Sequence, residues 1–362
     1  MLALPMILQN AITNLVSFLD NIMVGQLGTE QMSGVAIANQ LLFVFNMCVF
    51  GGVAGAGIFA AQFYGAGNHE GVRDCFRYKI FLCIGLVVLA MIVLLSGGEA
   101  LILKYLNDAS NTSKVDVTLQ YGLDYMHIML WGLVPFALTQ AYAGTLRETG
   151  ETALPMRAGI IAVFVNLVFN YILIYGHLGA PAMGVEGAAL ATVISRFVEL
   201  IIVMYATHAH SERFKFIRGA FRSARIPGKL AKEITVKGIP LMVNEALWSL
   251  GVAMLTQCYS LRGLDVVAAM NISSTISNLF AVVFLSLGSA AAIIVGQSLG
   301  ANDMETANDH AWKLIAFSVA TCLVTSTLMA VTAPFIPYIY RTTDAVRGLA
   351  TRFLLVYALC MP

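Results

Sequence analysis

Long apolar segments, interrupted by Gly, Pro and charged residues, dominate the pattern of this chain. Ten such segments occupy residues 2–26, 33–64, 78–98, 118–146, 154–176, 184–207, 234–260, 266–297, 311–336 and 346–362. As helices they can cross roughly 30 Å of hydrocarbon, whereas barrel strands would show short alternating segments. The pattern therefore predicts an all-α polytopic membrane protein with about ten spans.

Scaffold residues occur twice at a constant offset of 235 residues. Pro5 aligns with Pro240, Gly28 with Gly263, Gln62 with Gln297, and Glu70 with Glu305. A long-period repeat in a hydrophobic chain indicates two bundles with a site at their interface. We expect an amino-terminal lobe of six spans over 1–207, a linker over 208–233, and a carboxy-terminal lobe of about four spans over 234–362.

Composition supports lipid as the solvent of this chain. Hydrophobic residues make up 59% of its 362 residues and charged residues only 11%, a far more apolar balance than soluble domains have. The net charge of +1 comes without a basic stripe interleaved with aromatic residues, so we expect no nucleic-acid partner. Cysteines with metal-site spacing, nucleotide loops and hydrolase motifs are missing from the sequence. We expect neither an enzyme nor a bound cofactor.

Basic residues indicate the orientation of the spans. They concentrate after spans 2, 4 and 6, at Arg73, Arg77, Lys79, Arg147, Arg157 and throughout 208–232. The positive-inside rule places those loops and the amino terminus in the cytoplasm. Six spans separate the two repeat copies, so the lobes share one orientation and are related by an axis along the membrane normal. The basic linker is interpreted as setting topology, with attraction to anionic headgroups as the alternative.

Polar side chains form a stripe on span 1. Asn10, Thr13, Asn14, Ser17, Asp20 and Asn21 fall within about a third of the circumference of an ideal helix. Because a carboxylate facing lipid costs several kcal/mol, the stripe must face a cavity or another helix. Asp20 is its only ionisable group, so we interpret it as a carboxylate that takes up a proton or coordinates sodium. The alternatives are solvation at the outer interface and a structural tie.

Other spans carry polar residues at membrane depth. Glu245 of span 7, with Trp248 beside it, is a second candidate coupling acid, and its alternative is an interfacial carboxylate. The amide candidates are Asn39 in span 2, Asn166 and Asn170 in span 5, and Asn271 and Asn278 in span 8. Such amides either bind a cation or substrate or join helices. We also expect an ion pair between Arg196 and Glu199, and hinges at Pro5 and Pro240.

Several motifs resemble the multidrug and toxic compound extrusion (MATE) transporters. The segment from Leu4-Pro5 through Asp20 to Val24-Gly25-Gln26-Leu27-Gly28 is similar to the first span of that family. Further similar segments are Gln62-Phe63-Tyr64-Gly65-Ala66, Leu146-Arg147-Glu148-Thr149-Gly150, Gly184-Val185-Glu186-Gly187, and Gly238-Ile239-Pro240 before Glu245. Together they cover nearly the whole chain in order.

The resemblance implies two six-helix lobes that export amphipathic, often cationic compounds in exchange for H⁺ or Na⁺. It implies ion coupling by Asp20 with Asn14, Asn166 and Asn170, and by Glu245 as a carboxy-lobe acid. Where some members carry an aspartate, this chain has Asn170, which leaves the coupling ion open. Asn10, Ser17, Asn39, Trp248, Asn271 and Asn278 are the expected substrate-cavity residues.

The expected function is secondary antiport by alternating access, in a monomeric protein of the bacterial plasma membrane. One alternative is a flippase of lipid-linked saccharides from the same superfamily, which would need a strongly cationic cavity. Another is a non-transporting fragment, because family members have twelve spans and this sequence stops within the tenth. We expect the second lobe to be incomplete.

Overall fold

The computed structural model describes residues 3–106, 112–260, 262, 264–339 and 344–360, which form eleven α-helices and two short 3₁₀ turns. The helices are α1 Ala3–Gly25, α2 Thr29–Gly65, α3 His69–Leu106, α4 Thr112–Trp131, α5 Leu133–Glu148, α6 Ala153–Tyr175, α7 Val185–Ala209, α8 Gly228–Ser260, α9 Leu264–Gly300, α10 Met304–Thr332 and α11 Asp344–Cys360. The 3₁₀ turns are Lys215–Ile217 and Ile336–Ile339. The predicted all-α class is confirmed.

Each predicted span corresponds to a helix, except that residues 118–146 form two, α4 and α5. Pro135 explains the break, because it has no N–H to donate to the carbonyl of Trp131. The Arg196 guanidinium donates instead to the nearby carbonyl of Gly132 at 3.2 Å and lies 5.0 Å from the centre of the Phe136 ring. Arg196 therefore satisfies a backbone carbonyl at the break between α4 and α5. It does not form the expected ion pair with Glu199.

Within the described residues, six helical stretches are both long and apolar enough to cross a membrane: Glu30–Gly65, His69–Lys104, Ala153–Tyr175, Val185–Ala209, Ile272–Gly300 and Met304–Thr332. Three other predicted spans differ from these stretches in polarity, continuity or length. The stripe on α1 is polar, α4 and α5 are separate helices, and α11 has only 17 residues. On the outer surface of α3, Leu89, Ile92 and Leu95 are 57%, 59% and 63% exposed, as side chains in contact with lipid would be.

The repeat is visible in the bounds of the helices. Moving α2 by 235 positions reproduces α9 from its first to its last residue, and the start of α3 moves onto the start of α10. The turns after α2 and α9 also match: Gly67 has φ +70° and its counterpart Asn302 has φ +59°. Both types of residue tolerate this left-handed conformation.

The two copies meet through their first two helices. Helix α2 packs against α8 and α9, and α1 packs against α9. At the ends of α2 and α9 the backbones touch: a Cβ on Gly65 would overlap the carbonyl oxygen of Gln297, and a Cβ on Gly300 would overlap that of Gln62. These two contacts are exchanged by the 235-residue repeat, so the local twofold axis passes between them. We call the whole contact of α1 and α2 with α8 and α9 the seam, and these two glycine contacts form one end of it.

The segment between α7 and α8 is folded onto the amino-terminal helices. Arg77 of α3 donates to the carbonyls of Gly219 at 2.8 Å and Ala220 at 2.7 Å. Phe216 is buried and its ring lies 5.5 Å from that of Phe76. The side of the molecule on which this linker lies, where α2, α5, α7 and α9 end, is called the linker side below.

Candidate functional site

Asp20 lies near the end of α1, away from the linker side, and contacts two amides of α6. Asn170 Nδ2 donates to Asp20 Oδ1 at 2.6 Å. The amide end of Asn166 that faces Asp20 lies 3.0 Å from both carboxylate oxygens, and hydrogen bonding assigns that end as nitrogen, because an oxygen there would face only acceptors. The structure thus brings these three residues together, and their role in ion coupling stays a prediction.

The carboxylate of Asp20 has amide neighbours but no cationic partner among the described residues. Asn170 Oδ1 is buried beside it and accepts no hydrogen bond. A buried amide oxygen without a donor is a costly arrangement unless a cation, a proton donor or water reaches it. The pocket therefore presents oxygen atoms and one negative charge, the chemistry that a small cation or a proton satisfies.

Further along the stripe of α1, Asn10 faces the other repeat copy. Its amide nitrogen donates to Ser286 Oγ of α9 at 3.0 Å. Asn14 is half-buried and has no recorded hydrogen bond to Asp20. The side chain of Ser17 lies outside the described residues. The stripe therefore makes two separate contacts: Asp20 with α6 in the pocket, and Asn10 with α9 at the seam.

Glu245 of α8 faces the seam from the opposite lobe. A Cβ placed on Gly51 of α2 would lie 3.2 Å from Glu245 Cγ and 2.9 Å from the Cα of Met242. The repeat converts Asn10 into Glu245 and Ser286 into Gly51, so this contact is the symmetry mate of the Asn10–Ser286 pair. Glu245 and Asp20 therefore belong to different local environments.

The remaining predicted site residues are dispersed. Asn39 accepts a hydrogen bond from the Tyr125 hydroxyl at 3.2 Å, and Trp248 is exposed with its ring 6.4 Å from that of Phe43. Asn278 is exposed on α9, and the side chain of Asn271 lies outside the described residues. The structure thus ties Asn39 to a neighbouring helix, and the substrate role of Asn39, Trp248 and Asn278 stays a prediction.

The two predicted hinge prolines occupy different helical positions. Pro240 lies in the interior of α8, two residues after Gly238, whose Cα packs on Gly55 of α2. Pro5 lies in the first turn of α1 as the structure describes it. Pro240 is therefore placed to bend its helix beside the seam, and the hinge role of both residues stays a prediction.

A buried charge cluster on the linker side was not predicted. Lys79, assigned from sequence to a loop, has no exposed surface and pairs with the carboxylate of Glu148. A Cβ on Gly57 would overlap that carboxylate. The next residue back, Arg147, donates to Gln9 Oε1 of α1 at 3.1 Å. The motif from Leu146 to Gly150 contains Arg147 and Glu148. Nothing in the sequence shows that Lys79, 69 residues before Glu148, would pair with it.

This cluster also reaches the other repeat copy. Gln297 Nε2 of α9 donates to the backbone carbonyl of Glu148 at 2.7 Å. The bond lies beside the contact between Gln297 and Gly65. The end of α5 is thereby joined to α9 at the seam.

Comparison with protein families decides the identity of this arrangement. The model of the family described as MatE matches residues 5–172 and 240–362, which covers most of the chain and leaves residues 173–239, including α7 and the linker, between its two parts. The chain belongs to the MatE family. Its helices accordingly form a multi-pass membrane protein, and the two matched segments begin at Pro5 and Pro240, the positions related by the repeat.

Curated relatives of this MatE protein are named as multidrug resistance proteins. It is 28% identical over 311 residues to a probable multidrug resistance protein NorM of Thermotoga maritima, covering 84% of this chain and 63% of that protein. It is 26% identical over 359 residues to multidrug resistance protein MdtK of Edwardsiella ictaluri, covering 99% of this chain and 77% of that protein. The match therefore spans less than two thirds of the first relative and about three quarters of the second.

Solved structures agree on the fold of this MatE chain. One is described as the outward-facing conformation of a multidrug resistance MATE family transporter of the MOP superfamily, with a TM-score of 0.85, 21% identity, and coverage of 98% of this chain and 76% of that one. A MOP superfamily transporter from Pyrococcus furiosus has a TM-score of 0.82, 20% identity, and coverage of 99% and 79%. At such identities the likeness establishes the fold alone.

Proposed function

We propose that this protein is a secondary antiporter that exports small amphipathic or cationic compounds in exchange for H⁺ or Na⁺. Its MatE membership and the multidrug names of the NorM and MdtK relatives support this class of activity. The proposal places it as a monomer in the plasma membrane of a bacterium, with the amino terminus in the cytoplasm. The linker side is then the cytoplasmic side.

The observation that carries the proposal is the environment of Asp20. A carboxylate within a membrane-spanning bundle is expensive unless a cation compensates it, and no basic side chain of the described residues pairs with this one. Asn166 and Asn170 instead hold its oxygens in place with amide hydrogen bonds. Such a group is satisfied by binding a proton or a metal cation and is costly without one, which is the property that ion coupling requires.

Sodium and protons make different demands on this pocket. Sodium needs several oxygen ligands, and the carboxylate of Asp20 with the unpartnered Asn170 Oδ1 supplies a first set. A proton needs only the carboxylate, and the protonated group could then donate to an amide oxygen. Both ions therefore remain in the proposal, with Asn170 as the residue that distinguishes them.

Closure on the linker side supports alternating access. The backbones of α2 and α9 touch at Gly65 and Gly300, so no substrate-sized passage lies between them there. Release of the ion or substrate toward the linker side requires these helix ends to separate. We interpret the structure as the outward-facing state, in which the end of the seam at Gly65 and Gly300 is closed.

The test is efflux of ethidium from proteoliposomes that contain the purified chain, with Asp20→Asn and the control Asp116→Asn. Asp116 is an exposed aspartate of α4, so the control makes the same chemical change outside the site. We expect a proton or sodium gradient to drive efflux in the wild type and the control, and Asp20→Asn to fall to background. Imposing each gradient alone identifies the ion. Normal gradient-driven efflux by Asp20→Asn would exclude Asp20 as the coupling site.

A further inference from the structure

The linker between α7 and α8 is held to the bundle over much of its length. Besides its bonds to Gly219 and Ala220, Arg77 reaches the carbonyl of Arg225 at 3.5 Å. Phe214, Phe216, Ile217 and Ala220 are all buried in one apolar cluster with Val72, Phe76 and Tyr142. The linker therefore has a fixed height relative to the helices, which a loose tether would not have.

Its basic side chains point away from that core. Arg213 pairs with Glu151, and Arg218 pairs with Glu212. The other five basic residues are exposed and form no ion pair within the part of the chain that the structure describes: Lys215, Arg222, Arg225, Lys229 and Lys232. The charge of these five residues is therefore available to an anionic partner.

The start of α8 separates its charges from its apolar contacts. Ile234 is buried against Phe59 and Cys75, with Leu230 packed beside it one turn earlier. Lys229 and Lys232 lie on the exposed part of the same two turns. This is the arrangement of a helix whose inner face is fixed to the protein and whose outer face meets an anionic layer.

Exposed aromatic rings give the depth of this surface. Tyr205, near the end of α7, is 75% exposed, and Phe221 of the linker is 63% exposed. Phe221 is nevertheless fixed, because its ring stacks on His208 at 6.0 Å and meets Phe76 edge-on at 6.2 Å. Aromatic residues of membrane proteins concentrate at the level of the headgroups, so these rings place the linker beside that layer.

We propose that the linker and the start of α8 form a docking surface for the anionic phospholipid headgroups of the inner leaflet, with Arg222, Lys229 and Lys232 as principal contacts. The phosphates of an acidic lipid such as phosphatidylglycerol supply the complementary charge, and Phe221 supplies an apolar contact at the acyl boundary. The inference rests on the proposed cytoplasmic position of the linker, and it does not depend on transport.

The test is native mass spectrometry of the detergent-purified full chain mixed with equal amounts of phosphatidylglycerol and phosphatidylcholine. The ratio of the two bound lipids is compared among the wild type, the linker variant Arg222→Gln/Lys229→Gln/Lys232→Gln, and the control Lys104→Gln/Lys313→Gln/Arg352→Gln. The control removes three exposed basic residues that lie elsewhere. A basic residue near an anionic surface strengthens binding by about fivefold, so we expect the linker variant to lose at least about tenfold of the preference for phosphatidylglycerol.

Three further readings decide the interpretation. We expect sodium chloride to weaken the preference, because added salt screens charges at this separation, and inorganic phosphate to weaken it no more than sodium chloride of the same ionic strength does. Competition by inorganic phosphate would assign the residues to a free-anion site and overturn the lipid proposal. Equal losses in the linker and control variants, or no preference in the wild type, would also overturn it. Matching thermal unfolding of all three proteins, followed by tryptophan fluorescence, shows that the substitutions leave the fold intact.

Discussion

Asn10 and Ser286 meet across the two repeat copies, with the amide nitrogen of one 3.0 Å from the hydroxyl oxygen of the other. The 235-residue repeat relates this pair to Glu245 and Gly51, which also touch. One copy of the contact is a hydrogen bond, and the other is a carboxylate-bearing side chain packed on a glycine. The seam is therefore symmetric in backbone and asymmetric in charge.

The two contacts that the repeat relates, Asn10–Ser286 and Glu245–Gly51, should respond differently to substitution. At Gly51 a Cβ would approach Met242 Cα to 2.9 Å, so Gly51→Ala must push α8 away, at a cost of about 1–3 kcal/mol in the free energy of unfolding. Ser286→Ala removes only one hydrogen bond, worth about 0.5–1.5 kcal/mol. Chemical unfolding in detergent measures both. Gly85→Ala, with no atom within 4 Å of the new Cβ, is the control and should cause no loss.

Asn170→Leu should change the affinity for the coupling ion without unfolding the protein. The change removes the 2.6 Å bond to Asp20 and the unpartnered amide oxygen while keeping the branched arrangement of heavy atoms. If the coupling ion is sodium, loss of the Oδ1 ligand should raise the half-saturating sodium concentration at least about tenfold, equivalent to about 1.4 kcal/mol. If it is a proton, the half-saturating proton concentration should fall, because the lost amide donor stabilised the ionised carboxylate. Efflux is measured against cation concentration. An unchanged concentration dependence would remove Asn170 from the site.

Glu245→Gln should lower the efflux rate without changing the half-saturating cation concentration, which we assign to Asp20. Glu245 lies at the seam against Gly51, in a different environment from the pocket on α6. If its charge biases the separation of the lobes, neutralising it changes a conformational step. We expect a decrease of about tenfold in efflux, equivalent to about 1.4 kcal/mol, with the same half-saturating cation concentration. A parallel change in that concentration would show that Glu245 belongs to the ion site.

The parts of the pocket have local, periodic sequence signals, but only the resemblance to the MATE family placed Asn166 and Asn170 with Asp20. Asp20 is the lone carboxylate of a polar stripe, and Asn166 and Asn170 are four residues apart, so one face of α6 must present both. The constant offset of the repeat also relates the bounds of α2 and α9, although the predicted spans 33–64 and 266–297 missed this match by two residues. The offset also relates Asn10–Ser286 to Glu245–Gly51, but it cannot show that either pair is in contact, because that depends on how the two copies pack.

The buried ion pair shows where such reasoning ends. Lys79 and Glu148 are 69 residues apart, and a lysine after a hydrophobic segment is typical of a cytoplasmic loop. Only the packing of α3 on α5, with Gly57 leaving room for the carboxylate, brings them together. Long-range charge pairing depends on tertiary contacts that periodicity does not encode, which is why both partners were assigned to loops.

Breaking that pair should be among the most destabilising single changes in the protein. Lys79→Met leaves the Glu148 carboxylate buried and uncompensated, which costs about 3–5 kcal/mol in the free energy of unfolding. The double variant Lys79→Met/Glu148→Gln removes both charges and should recover most of the loss. Unfolding by denaturant in detergent measures each. Lys313→Met is the control: it breaks an exposed pair with Asp309, for which about 0–1 kcal/mol is expected. A double variant as unstable as the single one would contradict the proposed cause.

Closure of the seam should depend on Gly65 and Gly300, where side chains would collide with backbone rather than with flexible groups. A Cβ at either position would overlap a carbonyl oxygen of the opposite copy, so the helix ends must separate to accommodate Gly65→Ala or Gly300→Ala. Nitroxide labels on cysteines at Glu70 and Glu305, the exposed repeat partners that begin α3 and α10, report this separation by electron paramagnetic resonance in a background without other cysteines. We expect each variant to add a population with longer label-to-label distances, and Gly97→Ala, where the new Cβ meets no atom within 4 Å, to leave the distribution unchanged. If both alanine variants kept the wild-type distribution, contact between these two backbones could not be what holds the linker side closed.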